Sequence, residues 1–96
     1  MKICIINKHP KDFLGGSEIQ THNIATELSK KKFSIDYIAI NGNKKIKTNY
    51  RIYNIKDSLN NILTQIDKVK PDIIYWRYNR NYLITLILFS KLKKIK

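Results

Sequence analysis

The sequence predicts an α/β fold built on a mainly parallel sheet, and three observations lead there. Short apolar runs rich in β-branched residues alternate with longer segments whose apolar residues recur at helical spacing. Most of the short runs are continuously apolar, the pattern of strands covered on both faces. Two glycines, Gly15 and Gly16, stand between the first run and the first helical segment, the junction at which such folds bring backbone close to a ligand.

Taken in order, Lys2 to Asn7 (KICIIN) is the first strand, ended by His9-Pro10. Ser17 to about Lys31 carries Ile19, Ile24, Ala25 and Leu28 at helix-like spacing. Ser17 as N-cap and Gln20 three residues on make a capping box, so the first helix is expected directly after the glycine pair. Phe33 to Ile40 (FSIDYIAI) is the second strand, stopped by the turn residues Asn41-Gly42-Asn43. Tyr50 to Ile55 (YRIYNI) alternates weakly and is the third. Leu59, Ile62, Leu63, Ile66 and Val69 form the apolar face of a second helix, capped by Asp57 or Ser58 and broken by Pro71-Asp72. Ile73 to Trp76 (IIYW) is the fourth strand, followed by a polar segment from Arg77 to Asn81 and a last helix from about Tyr82 to Lys94.

The order β-α-β-β-α-β-α with right-handed crossovers gives a four-stranded sheet in the order 3-2-1-4, a Rossmann-like arrangement occupying residues 1–96 as one partial domain. The fourth strand then has no outer neighbour, so an unpaired apolar edge, with self-association or poor solubility, is expected. In open α/β sheets ligands sit beyond the carboxyl ends of the strands where strand order reverses, here between strands one and four. The loops meeting there run from Lys8 to Ser17, with the glycine pair, and from Arg77 to Asn81, with Arg77 and Arg80. Glycine permits close approach, and the first turn of a helix offers free N–H groups and the positive end of a dipole. These features together predict a phosphate cradle, against the alternative of a simple tight turn.

Composition bounds the partners. The 96 residues include 43% hydrophobic ones, and 19 basic residues against 7 acidic give a net charge of +12, which attracts any polyanion. Much of that charge lies in runs, Lys30 to Lys32, Lys44 to Lys47 and Lys91 to Lys96, where helix ends and turns are expected. Cys4 is the one cysteine and lies in an apolar run, so it reads as a small core residue in a reducing compartment. No apolar run reaches the roughly 20 residues a membrane-spanning helix needs, and a cytoplasmic chain is expected. His9 and His22 have no partners at metal-ligand spacing and read as structural, His9 being the better placed for ligand contact. The first strand is not followed by G-x-G-x-x-G, no acid closes the second strand, and no Lys-Ser or Lys-Thr follows the glycines, which argues against a dehydrogenase and a P-loop enzyme.

An apolar first strand, a loop ending in Gly-Gly-x-Glu, a helix reading HNIATELSK and the later segment KPDIIYWR resemble the N-terminal half-domain of family 4 glycosyltransferases of the GT-B fold. The resemblance covers nearly the whole chain but only the opening part of such an enzyme. It implies transfer of a sugar from a nucleotide-sugar donor to a sugar or lipid-linked acceptor with retention of configuration, with no metal and no separate cofactor. By that resemblance Gly15 and Gly16 match the donor-facing loop. Glu18 matches its acid, which either positions the acceptor, buttresses the loop or simply complements the helix dipole. Arg77 matches an arginine that follows the fourth strand, there to hold an anion or to make a structural salt bridge. Tyr75, Trp76 and Tyr78 are candidates for a sugar-stacking platform or for ordinary core and surface positions. No catalytic residue is assigned, because the donor-binding domain with its E-x7-E pair has no counterpart here, and the chain alone is expected to be inactive unless a complementing domain joins it. The competing expectation is a basic module binding nucleic acid or, through FSKLKKIK, the anionic inner face of a membrane. No readable RNA-recognition, helix-turn-helix or zinc motif supports the nucleic-acid alternative.

Overall fold

The computed structural model describes residues 1–9, 15–42, 48–78 and 82–96. Its elements follow the expected order: β1 (Lys2–Asn7), α1 (Gly16–Lys30), β2 (Ser34–Ile40), β3 (Arg51–Ile55), α2 (Leu59–Val69), β4 (Ile73–Trp76) and α3 (Leu83–Leu92). The four strands form one parallel sheet in the order β3-β2-β1-β4. β1 is central, with Ile5 opposite Tyr37 on one side and Tyr75 on the other. At the amino end the Asp72 carboxylate accepts from the Lys2 amide at 2.8 Å, and the Asp72 amide donates to the Lys2 carbonyl at 2.9 Å.

Alternation of side chains along the strands divides the core in two. Cys4, Ile6, Ile38 and Ile40 face α2 and α3, meeting Ile62, Ile66 and Leu86. Ile5, Ile35, Tyr37 and Ala39 face the other way, with Ala25 of α1 and Tyr50. Helices therefore cover both faces, which is why β1 and β2 are buried almost throughout and read as continuous apolar runs. The one charged group inside β2, Asp36, is held by Arg51 of β3, whose Nε lies 2.6 Å from Oδ1. Burial, and next the Asp36 charge, push the Cys4 thiol far up, so it stays protonated as a core residue.

Helix ends explain two of the lysine runs. Lys32 and Lys94 take positive φ, 67° and 57°. Around them the Phe33 amide reaches back to Leu28 and the Ile95 amide to Ser90, the long hydrogen bond of a Schellman motif. Lys70, at φ 53°, ends α2 in the left-handed conformation. All three helices thus stop on a lysine, whose charge complements the negative end of the helix dipole. Ser58 caps α2 by accepting from the Asn61 amide at 3.0 Å. At the end of β2, Asn41 turns at φ 56° and its side chain accepts from the Asp57 amide, tying the turn to the start of α2. The Lys44 to Lys47 run and Asn43 lie outside the described residues.

As expected, β4 has no outer neighbouring strand among the described residues, though one end of its edge is occupied. There the Ile74 amide donates to the Lys96 carbonyl at 2.7 Å and the Lys96 amide donates to the Asp72 carbonyl at 3.1 Å. The β4 side chains nonetheless remain only half-buried. Among the described residues, no helix is long and apolar enough to cross a membrane.

Candidate functional site

The carboxyl ends of β1 and β4 lie side by side, and α1 rises from beyond β1 with Gly16 as its first residue. Gly15, not Ser17, occupies the N-cap position, extended at φ −136° and ψ 162°, and among the described residues no side chain caps the helix. The capping box is absent because its members are engaged elsewhere. The buried Asn7 amide donates to the Ser17 hydroxyl at 3.2 Å, and Gln20 accepts from Arg77. Neither glycine takes a positive φ, so left-handed backbone is not what requires them. At Gly16 a Cβ would meet no atom of the described residues within 4 Å. Among the described residues the helix start is thus uncapped, and its first N–H groups are of the kind that attract an anion.

Arg77 follows β4 directly, its amide donating to the Ile6 carbonyl at 3.1 Å. Its Nη2 donates to the Gln20 Oε1 at 3.2 Å. Gln20 is one helical turn from Gly16, so the guanidinium is brought to the face of α1 that begins with the glycine. Among the described residues no carboxylate pairs with Arg77, and its charge remains available at the exposed rim. Among the described residues the structural salt bridge weighed for this residue is not formed. Arg80 lies outside the described residues, as does Leu14.

Glu18 is 9% exposed, and among the described residues its carboxylate makes no hydrogen bond or ion pair. Its charge bears on Tyr37: burial chiefly, partly opposed by a hydrogen bond from Thr21, and then Glu18 push that phenol up to about 12. Glu18 is therefore directed toward the packed side of α1 more than toward the opening at Gly16.

Behind the glycines stands a polar network that the sequence reading missed. Asn7 spans from β1 to Ser17 and, at 3.5 Å, to Thr21, while its Oδ1 accepts from the Lys8 amide. The Tyr37 hydroxyl donates to the Lys8 carbonyl and lies 2.7 Å from the Thr21 hydroxyl, which also reaches the Glu18 carbonyl at 3.0 Å. His9 is buried, with Nε2 2.6 Å from the Tyr50 hydroxyl, and Nδ1 of His22 lies 2.5 Å from the same oxygen. One phenolic proton serves both contacts, so Tyr50 donates to one imidazole and accepts from the other. Tyr37 stacks on Tyr50 at 5.8 Å, and His9 meets Tyr37 edge-on at 4.9 Å. The readable sign was in α1, whose inward stripe of Ser17, Thr21, Ala25 and Leu28 begins with two hydroxyls where apolar residues would be expected.

The three aromatics near β4 do not form one platform. Tyr75 packs on the α1 side, whereas Trp76 and Tyr78 pack on the α3 side, edge to face at 6.0 Å. Tyr78 and Tyr82 both donate to Asp57, at 2.7 and 3.3 Å, fixing the loop after β4 to the loop before α2.

No protein-family model matches the chain, and comparison with curated proteins finds no match.

Proposed function

We propose that the chain is the acceptor-side half of a GT-B glycosyltransferase, binding the phosphates of a nucleotide-sugar at Gly15 and Gly16 and depending on a second, donor-binding domain for catalysis. The observation that carries this reading is the convergence, at the reversal point of strand order, of a helix start without a side-chain cap and an arginine without a carboxylate partner, both among the described residues. Backbone amides and a guanidinium both favour phosphate, and together they supply direction as well as charge. The network through Asn7, Tyr37 and His9 serves this site by tying the segment after β1 to α1 and β2.

Titrating the isotope-labelled chain with uridine diphosphate and following its amides tests the reading. Shifts centred on Gly15, Gly16 and Ser17, weakened about tenfold by Arg77→Ala and abolished by Gly16→Glu without loss of helix, are expected. Perturbation spread over the lysine runs, or tighter binding of a single-stranded oligonucleotide, would replace it with the basic nucleic-acid module. No sugar transfer by the isolated chain is expected in the same preparation.

A second reading has its own observation. Ile84, Leu88 and Leu92 of α3 are 76, 58 and 83% exposed and recur every fourth residue beside the closing lysines, a surface suited to an anionic membrane.

A further inference from the structure

Three side chains from separate segments meet at one point on the α1 side of the sheet. His9 follows β1, His22 stands on α1 and Tyr50 precedes β3. Nε2 of His9 and Nδ1 of His22 lie 2.6 and 2.5 Å from the Tyr50 hydroxyl oxygen, so two imidazole nitrogens and a phenol converge. Their rings are held from behind. Tyr37 stacks on Tyr50 and meets His9 edge-on, and its own hydroxyl is tied to the Lys8 carbonyl and to Thr21. His9 and Tyr50 are buried, whereas His22 is half-buried and gives the cluster its contact with the surface.

We propose that His9, His22 and Tyr50 form a binding site for a divalent late first-row transition ion: nickel, copper or zinc. Imidazole nitrogen suits these ions, while magnesium and calcium require shells of oxygen that the cluster does not supply. Before the ion binds, one phenolic and one imidazole proton fill the two contacts. The ion replaces both: the phenolic proton leaves to solvent, and the donating imidazole carries its proton on its other ring nitrogen. Two nitrogens and a phenolate oxygen then bind the metal, with water completing the coordination. Metal bonds of about 2.0–2.1 Å at tetrahedral angles set ligand atoms about 3.3 Å apart, so each nitrogen recedes from the oxygen by less than about 1 Å. Glu18 lends negative charge, its effect reaching Tyr37, which offsets part of the repulsion that a chain of +12 exerts on a cation. No sequence spacing marks this site, since Tyr50 lies 41 residues from one histidine and 28 from the other. The inference uses neither the glycines nor Arg77 and so stands apart from the transferase reading.

Zinc chloride and copper(II) chloride, each titrated into the intact chain, are the probes. Calorimetry at about pH 8, where imidazole is neutral, in two buffers of different ionisation enthalpy should show one zinc per chain and one proton released per ion. Copper should produce a phenolate-to-copper charge-transfer band in the visible and broaden the proton resonances of both imidazoles. Tyr50→Phe should remove the band. His22→Gln, at the half-buried position, should weaken zinc binding at least about tenfold while keeping the circular dichroism of the parent chain, and it decides the matter should Tyr50→Phe fail to fold. No binding of either ion, zinc uptake without proton release, a band that survives Tyr50→Phe, or affinity indifferent to His22→Gln would each overturn the proposal.

Discussion

A single hydroxyl joins the two histidines of the chain, because Tyr50 stands between His9 and His22 with contacts of 2.6 and 2.5 Å. Tyr50→Phe keeps the ring packed on Tyr37 and withdraws that hydroxyl from both imidazoles. Urea denaturation at neutral pH should show a loss of about 1–3 kcal/mol, with the segment around His9 losing amide protection first. Alkaline pH reads the same residues. Burial above all raises Tyr37 to about 12 and Tyr50 still further, the Tyr37 ring adding to the latter. Above about pH 10 the unfolded chain releases phenolic protons that the native chain retains. The native state then binds more protons, so stability must fall as pH rises. Thermal midpoints measured from pH 9 to 11 should decline, and less steeply in Tyr50→Phe.

At the scale of elements, the left-handed lysines are the feature most open to test. An L-residue with a Cβ in that conformation is held at a cost of about 1–2 kcal/mol, whereas glycine bears none of it but loses more backbone freedom on folding. Lys32→Gly should therefore stabilise by about 0.5–1 kcal/mol and raise the melting temperature by about 2–8 °C. Lys30→Gly, at the last helical position of α1, should lower it. Strands and helices were legible because each rests on local pattern: KICIIN and IIYW are continuous apolar runs, and the α2 face recurs within one helix. The start of α1 was misread for the opposite reason. Its Ser17 hydroxyl is taken by Asn7, ten residues away, and its Gln20 by Arg77, 57 residues away. Glycine position and Arg77 could be placed near one another through strand order, but the Tyr50 bridge to His9 spans 41 residues and leaves no local periodicity.

Across the whole molecule, charge is distributed unevenly. Six of the 19 basic residues and none of the 7 acids lie beyond Asp72, alongside the exposed stripe of α3. If that surface meets lipid, the chain should float with phosphatidylserine-rich vesicles at low salt and stay behind with neutral ones. The double variant Ile84→Ser, Leu88→Ser should then remain unbound while melting normally; flotation that ignores both lipid charge and these substitutions would remove the membrane reading. The central position of β1 has a consequence in time. Its second edge is closed only by β4, and the Lys2–Asp72 staple joins residues 70 apart. During synthesis β1, α1 and β2 can assemble early, while the remaining edge of β1 waits for residues 73–76 to leave the ribosome. In that interval the β1 edge that β4 will cover stands unpaired beside Cys4, Ile5 and Ile6, a template for wrong pairing that exists only while the chain is being made.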